Sequence, residues 1–167
     1  MKNVKLFILV FGLFLANSMV FGQDYEVPED YSFETEEDYR DAEDDIVECV
    51  DFLEQTPYNE QADKRKEASA FLLVWITGAP DVTIEVGMPL IDLCEDNAML
   101  TIIYFGAFSK YVINNPSAKD GKYAGAKAMI KFYQDNLNKG IVKNKKMEKL
   151  IKTQNKGNLE KWANDNL

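Results

Sequence analysis

The side chains best suited to chemistry in this chain are carboxylates and two thiols, because histidine is absent altogether. Without imidazole there is no His-based triad, no His general base, no His metal ligand and no histidine pH switch. Among the 28 acids, Glu95-Asp96-Asn97 stands out because it falls between two apolar segments. Glycoside hydrolysis needs two carboxyl groups across a cleft, one to protonate the leaving group and one to act from the opposite side. Glu95 and Asp96 are therefore the candidate pair if the chain is a small carboxylate-dependent hydrolase of envelope or extracellular polysaccharide. A plainer role fits the same position, with Asp96 or Asn97 capping the free amides that open the next helix. No residue is assigned as catalytic outright.

No Gly-rich phosphate loop, Gly-x-Ser-x-Gly elbow or calcium loop of the Asp-x-Asn-x-Asp-Gly type occurs, so no cofactor and no metal is expected. Cys49 and Cys94 are the two cysteines. In an exported chain such a pair reads as one disulfide. In the chain-entropy picture, closing the intervening loop contributes about 4 kcal/mol. The rival arrangement is two buried free thiols. A redox-active pair lacks the Cys-x-x-Cys spacing.

Charge is segregated along the chain. Residues 24–54 hold 15 acids and one base, Arg40, whereas residues 119–167 hold 12 lysines and five acids. Phosphates and anionic headgroups are repelled by the acidic front, which argues against a nucleic-acid partner. Two readings of residues 23–36 stand side by side. In one they form a solvated, flexible acidic arm. In the other Tyr25, Tyr31 and Phe33, with Tyr39, dock the arm on a basic surface, either a partner's or the lysine-rich end of the same chain. That end carries Lys143, Lys145, Lys146, Lys149 and Lys152 around a stripe of Met147, Leu150 and Ile151. These lysines form either a solvated helix face or a contact for an anionic polymer, a membrane surface or an acidic partner.

Residues 1–22 show Lys2 and Lys5, then the apolar run from Leu6 to Leu15, then small residues up to Gly22. That order describes a secretory signal peptide, with Gln23 the expected mature terminus. The apolar run is shorter than the roughly 20 residues that span a bilayer, so no stable membrane anchor is expected after cleavage. Removal of the signal leaves 17 bases against 28 acids, a net charge of −11.

The remaining chain, 46% hydrophobic over its full length of 167 residues, supports one core and one domain, placed at residues 37–167. Apolar steps of three and four predict helices over 37–56, 60–77, 97–115, 117–138 and 143–156. A short helix at 90–94 and a final turn holding Leu159 and Trp162 complete them. Residues 71–76 are apolar all round and are expected to be largely buried. Residues 82–86 alternate apolar and polar without a clear partner strand, which predicts an extended connector rather than a sheet. The small residues Ala124, Gly125, Ala126 and Ala128 suggest helical-hairpin repeats, but no register of 34 to 40 residues holds. The expected fold is all-α, an irregular bundle of five or six helices with one short extended connector.

The run Cys49-Val50-Asp51-Phe52-Leu53, residues 71–78 and the later Cys94 resemble small periplasmic helical proteins of the HdeA-type acid-stress chaperone and secretion-system immunity classes. The resemblance spans roughly residues 46–115 and implies a cysteine-pinned helical core. The acidic arm and the lysine-rich end depart from that pattern. The functional expectation is an exported, periplasmic or extracellular, non-enzymatic module that binds another protein of the cell envelope.

Overall fold

The computed structural model describes residues 25–118 and 120–167; the expected signal segment, residues 1–22, lies outside them. Among the described residues the chain is all-helical, with eight helices and no strand. They are α1 (Glu36–Asp41), α2 (Glu43–Gln55), α3 (Ala62–Ile76), α4 (Met88–Cys94), α5 (Met99–Asn114), α6 (Lys122–Asn136), α7 (Lys145–Asn155) and α8 (Leu159–Asn166). The count exceeds five or six for local reasons. Thr35 and Asp38 form a reciprocal capping box that starts α1, and the helix then breaks at Ala42 before continuing as α2. The terminal turn extends into α8, which buries Leu159 and Ala163.

Helix α2 follows its apolar spacing closely, burying Ile46, Cys49, Val50 and Leu53. Its C-terminal carbonyls receive an arginine. Arg65, 5% exposed, donates Nη1 to Leu53 O (3.2 Å) and Nη2 to Thr56 O (2.9 Å) and Pro57 O (2.7 Å). A cation at this end of a helix complements its partial negative charge. The guanidinium also lies 5.8 Å from the Tyr58 ring and 5.9 Å from the Phe132 ring, so the buried charge rests between aromatic faces.

Helix α3 departs from the expectation of all-round burial. Phe71, Leu72 and Trp75 face the core, while Leu73 and Val74 stay exposed. Trp75 Nε1 donates to Tyr39 O at 2.8 Å, and the Tyr39 ring lies against Gly78, where a Cβ would collide with it. Helix α1 and the end of α3 are joined there. Residues 82–87 run as an irregular connector without a strand.

Helix α5 is the centre of the bundle, touching α2, α3, α4 and, most extensively, α6. The α5–α6 approach depends on glycine. A Cβ on Gly125 would sit 2.7 Å from the Tyr104 ring and 2.9 Å from its carbonyl oxygen, and one on Gly121 would sit 2.6 Å from Phe108 O. The small residues of this segment therefore serve close helix packing rather than a repeat. Helices α7 and α8 close the base of α6.

The expected Cys49–Cys94 disulfide is corrected: both cysteines are free and buried. Cys49 Sγ donates to Ala68 O of α3 at 3.3 Å, whereas Cys94 Sγ contacts Met129 Sδ of α6 at 3.8 Å. Each thiol is a core group in its own helix pair. Burial pushes the Cys49 thiol up to about 11, which favours the inert neutral form.

Candidate functional site

The residues singled out from the sequence fall into three places. Glu95 and Asp96 join the start of α7. Lys146 Nζ lies 3.1 Å from Glu95 Oε1 and 3.1 Å from Asp92 Oδ1. Asp96 Oδ2 accepts from Asn144 Nδ2 at 2.9 Å. Asn144 is buried and caps α7 with its side-chain oxygen, accepting from Lys146 N (2.7 Å) and Met147 N (3.0 Å). Its backbone N–H donates to Tyr133 Oη at 3.0 Å, and that hydroxyl donates to Glu148 Oε1 at 3.0 Å. Asp96 and Asn97 do not cap α5, whose N-cap is Ala98 without a side-chain bond. The two carboxylates thus sit in a clasp between α4 and α7, facing a lysine and an amide of their own chain. The hydrogen bonds to Glu95 and then Asp92 raise the Lys146 ammonium above its ordinary value.

Lys143, Lys145, Lys149 and Lys152 are exposed on and beside α7, with no ion pair among the described residues. The aromatic residues of the N-terminal segment lie elsewhere, on α1, α2 and α3. Tyr25 is buried and stacks on Phe52 at 5.2 Å between ring centroids; Tyr31 meets Phe71 edge-on at 4.8 Å; Phe33 stacks on Tyr39 at 5.0 Å. Burial raises the Tyr25 hydroxyl strongly, with the neighbouring Cys49 thiol the next cause. The segment is anchored by apolar contact with its own helices, and the structure does not bring these aromatic side chains to the C-terminal lysines.

A concave site appears where no single motif pointed. A groove of about 600 Å³ runs between α5 and α6, lined by Ala107, Lys110, Tyr111 and Asn114 on one side and Tyr123, Ala124, Lys127, Ala128, Lys131 and Gln134 on the other. Glu54 of α2 and Gln154 of α7 complete it. The alanines in the lining are short, while Tyr111 and Tyr123 remain 40% and 42% exposed. A neighbouring hollow of about 530 Å³ shares Glu54, Ala128 and Lys131 and extends past Pro57 and Asp135.

Glu54 is the perturbed group of this region. Burial lifts its carboxyl above the ordinary glutamate value, Lys110 opposes that rise, and Asp51 adds to it. Lys110 hydrogen-bonds Asp51 and stands 3.8 Å from Glu54. Both carboxylates therefore share one ammonium. Lys131 pairs with Asp135 one turn along α6, while Lys127 makes no ion pair among the described residues. No cluster of three metal-ligating residues occurs among the described residues.

The stripe Tyr123, Lys127, Lys131 and Gln134 has helical spacing that is visible in the sequence. Its pairing with Ala107, Lys110, Tyr111 and Asn114 depends on which helices touch, and single-chain periodicity does not carry that. No described helix is long and apolar enough to cross a membrane. The chain matches no protein-family model, no curated protein and no solved structure.

Proposed function

We propose that this protein is an exported, non-catalytic module that binds another protein, in the manner of small envelope chaperones or immunity proteins, after removal of residues 1–22. One observation carries the reading: an open groove walled by two half-exposed tyrosines and floored by alanines lies between α5 and α6. Surfaces of this composition, with aromatic anchors and a polar rim, are those that dock polypeptides. Against hydrolysis stands the engagement of Glu95 by Lys146 and of Asp96 by Asn144, and neither carboxylate lines the α5–α6 groove. The exposed lysines Lys143, Lys145, Lys149 and Lys152 add a second basic contact on α7.

A photo-crosslinking residue placed at position 123, in protein recovered as the cell produces it, tests the groove in cell-envelope extract. A discrete adduct identified as one polypeptide is expected at position 123 and not at the exposed position 73 of α3. Equal labelling at both positions, or none at either, would overturn the reading. The intact mass of the same preparation shows whether the chain begins at Gln23.

A further inference from the structure

We infer that the α5–α6 groove is a receptor for an acidic polypeptide segment carrying an aromatic or apolar anchor residue. The inference rests on the protein-binding reading and supplies its partner's chemistry. The chain as a whole is acidic, with a net charge of −9. The groove lining holds three lysines, Lys110, Lys127 and Lys131, against the acid Glu54; Asp51 and Asp135, just outside it, pair with Lys110 and Lys131, and Lys127 makes no ion pair among the described residues. A cationic strip attracts an acidic segment while the acid-rich residues 24–54 repel it, which is how charge complementarity steers one class of partner.

The geometry specifies the rest. From Tyr123 to Gln134 the α6 wall runs three turns, roughly 16 Å at the α-helical rise. An extended segment of about five residues spans that length at the strand rise. Half-exposed Tyr111 of α5 and Tyr123 of α6 line opposite walls, and the short side chains of Ala124 and Ala128 lie in the same lining, a combination suited to one apolar anchor side chain. Lys127 has no acidic partner to give up among the described residues, and Lys131 holds Asp135 in an exposed pair of little worth. Both ammonium groups are thus available to carboxylates flanking the anchor. Lys110, held by Asp51 and Glu54, contributes less.

The test uses three labelled peptides that share a central tryptophan and differ in flanking residues: glutamates, lysines or serines. Fluorescence anisotropy is read against the protein as the cell produces it. The acidic peptide is expected to bind at low salt, to weaken as salt rises, and to exceed the lysine peptide by about tenfold or more. The double variant Lys127→Glu/Lys131→Glu is expected to remove that preference, and Tyr123→Ala to weaken the acidic peptide about tenfold. Lys66→Glu/Lys161→Glu, at exposed positions of α3 and α8 outside the groove lining, is expected to leave it within about twofold. Circular dichroism melts establish that each variant is folded. Equal binding of the three peptides, or an acidic preference untouched by Lys127→Glu/Lys131→Glu, would overturn the inference. Failure of the acidic peptide alongside a discrete position-123 adduct rejects this ligand class and keeps the protein-binding reading; failure of both rejects both.

Discussion

Asn97 and Val142 hold each other twice. The Asn97 carboxamide oxygen accepts the Val142 N–H at 2.7 Å, and its Nδ2 donates to the Val142 carbonyl at 2.9 Å. The pair ties the α4–α5 junction to the loop before α7, beside the contacts of Asp96 with Asn144 and of Glu95 with Lys146. Asn97 is buried, so truncation leaves two backbone groups without their partner. Asn97→Ala is expected to lower stability by about 2 kcal/mol. A shift in the urea midpoint at constant slope checks this. Asn97→Asp keeps the acceptor but sets a buried carboxylate oxygen against the Val142 carbonyl, so a loss at least as large as that of Asn97→Ala is expected at neutral pH; an Asn97→Asp variant as stable as the parent would contradict the two-bond account.

Arg65 is the next point at which one side chain controls a junction. Its three bonds to Leu53 O, Thr56 O and Pro57 O follow from a planar fork that reaches both sides of the α2 terminus. A lysine brings one compact charge into the same buried place and cannot span these carbonyls. Arg65→Lys is therefore expected to cost about 3 kcal/mol, close to the loss from Arg65→Met. Chemical unfolding of the two variants measures it; a lysine variant within experimental error of the parent would show that charge alone, rather than the fork, caps α2.

Gly125→Ala separates helix propensity from packing. Propensity alone favours alanine inside a helix by about 1 kcal/mol. The added methyl group would meet the Tyr104 ring at 2.7 Å and a backbone oxygen at 2.9 Å, which α5 cannot yield without moving. A net destabilisation of about 1 kcal/mol or more is expected, read as a fall in Tm. A rise in Tm would mean that α5 and α6 are less tightly joined than their geometry indicates.

Helix α2 could be read because Ile46, Cys49, Val50 and Leu53 repeat at helical spacing and face a single core. Leu73 and Val74 misled because an all-round apolar run hides which side is inward until Phe71, Leu72 and Trp75 find their neighbours. Asn97 has the chemistry of a cap and of a long-range clamp alike, and only the position of Val142 decides between them. Cysteine number and supposed compartment suggested a disulfide, yet Cys49 and Cys94 point to different partners, Ala68 and Met129. The groove was least legible because it exists between helices, made by the close approach at Gly121 and Gly125.

Glu54 tests the electrostatics of that groove. Burial raises its carboxyl above the ordinary value of 4.5, more than Lys110 lowers it, and Asp51 adds to the rise. The folded chain therefore keeps this proton at a higher pH than the unfolded chain does. A raised value contributes stability that is fully present below the ordinary glutamate range and is lost as pH rises through the folded value. At neutral pH the ionised carboxylate is a net burden on folding. Glu54→Gln is expected to raise Tm at neutral pH, and the difference is expected to close in acid, where both side chains are uncharged. Thermal melts of parent and variant across that pH range measure it. A variant less stable than the parent at neutral pH would mean that attraction to Lys110 outweighs burial, and would place the working charge of the groove on Glu54 rather than on its lysines.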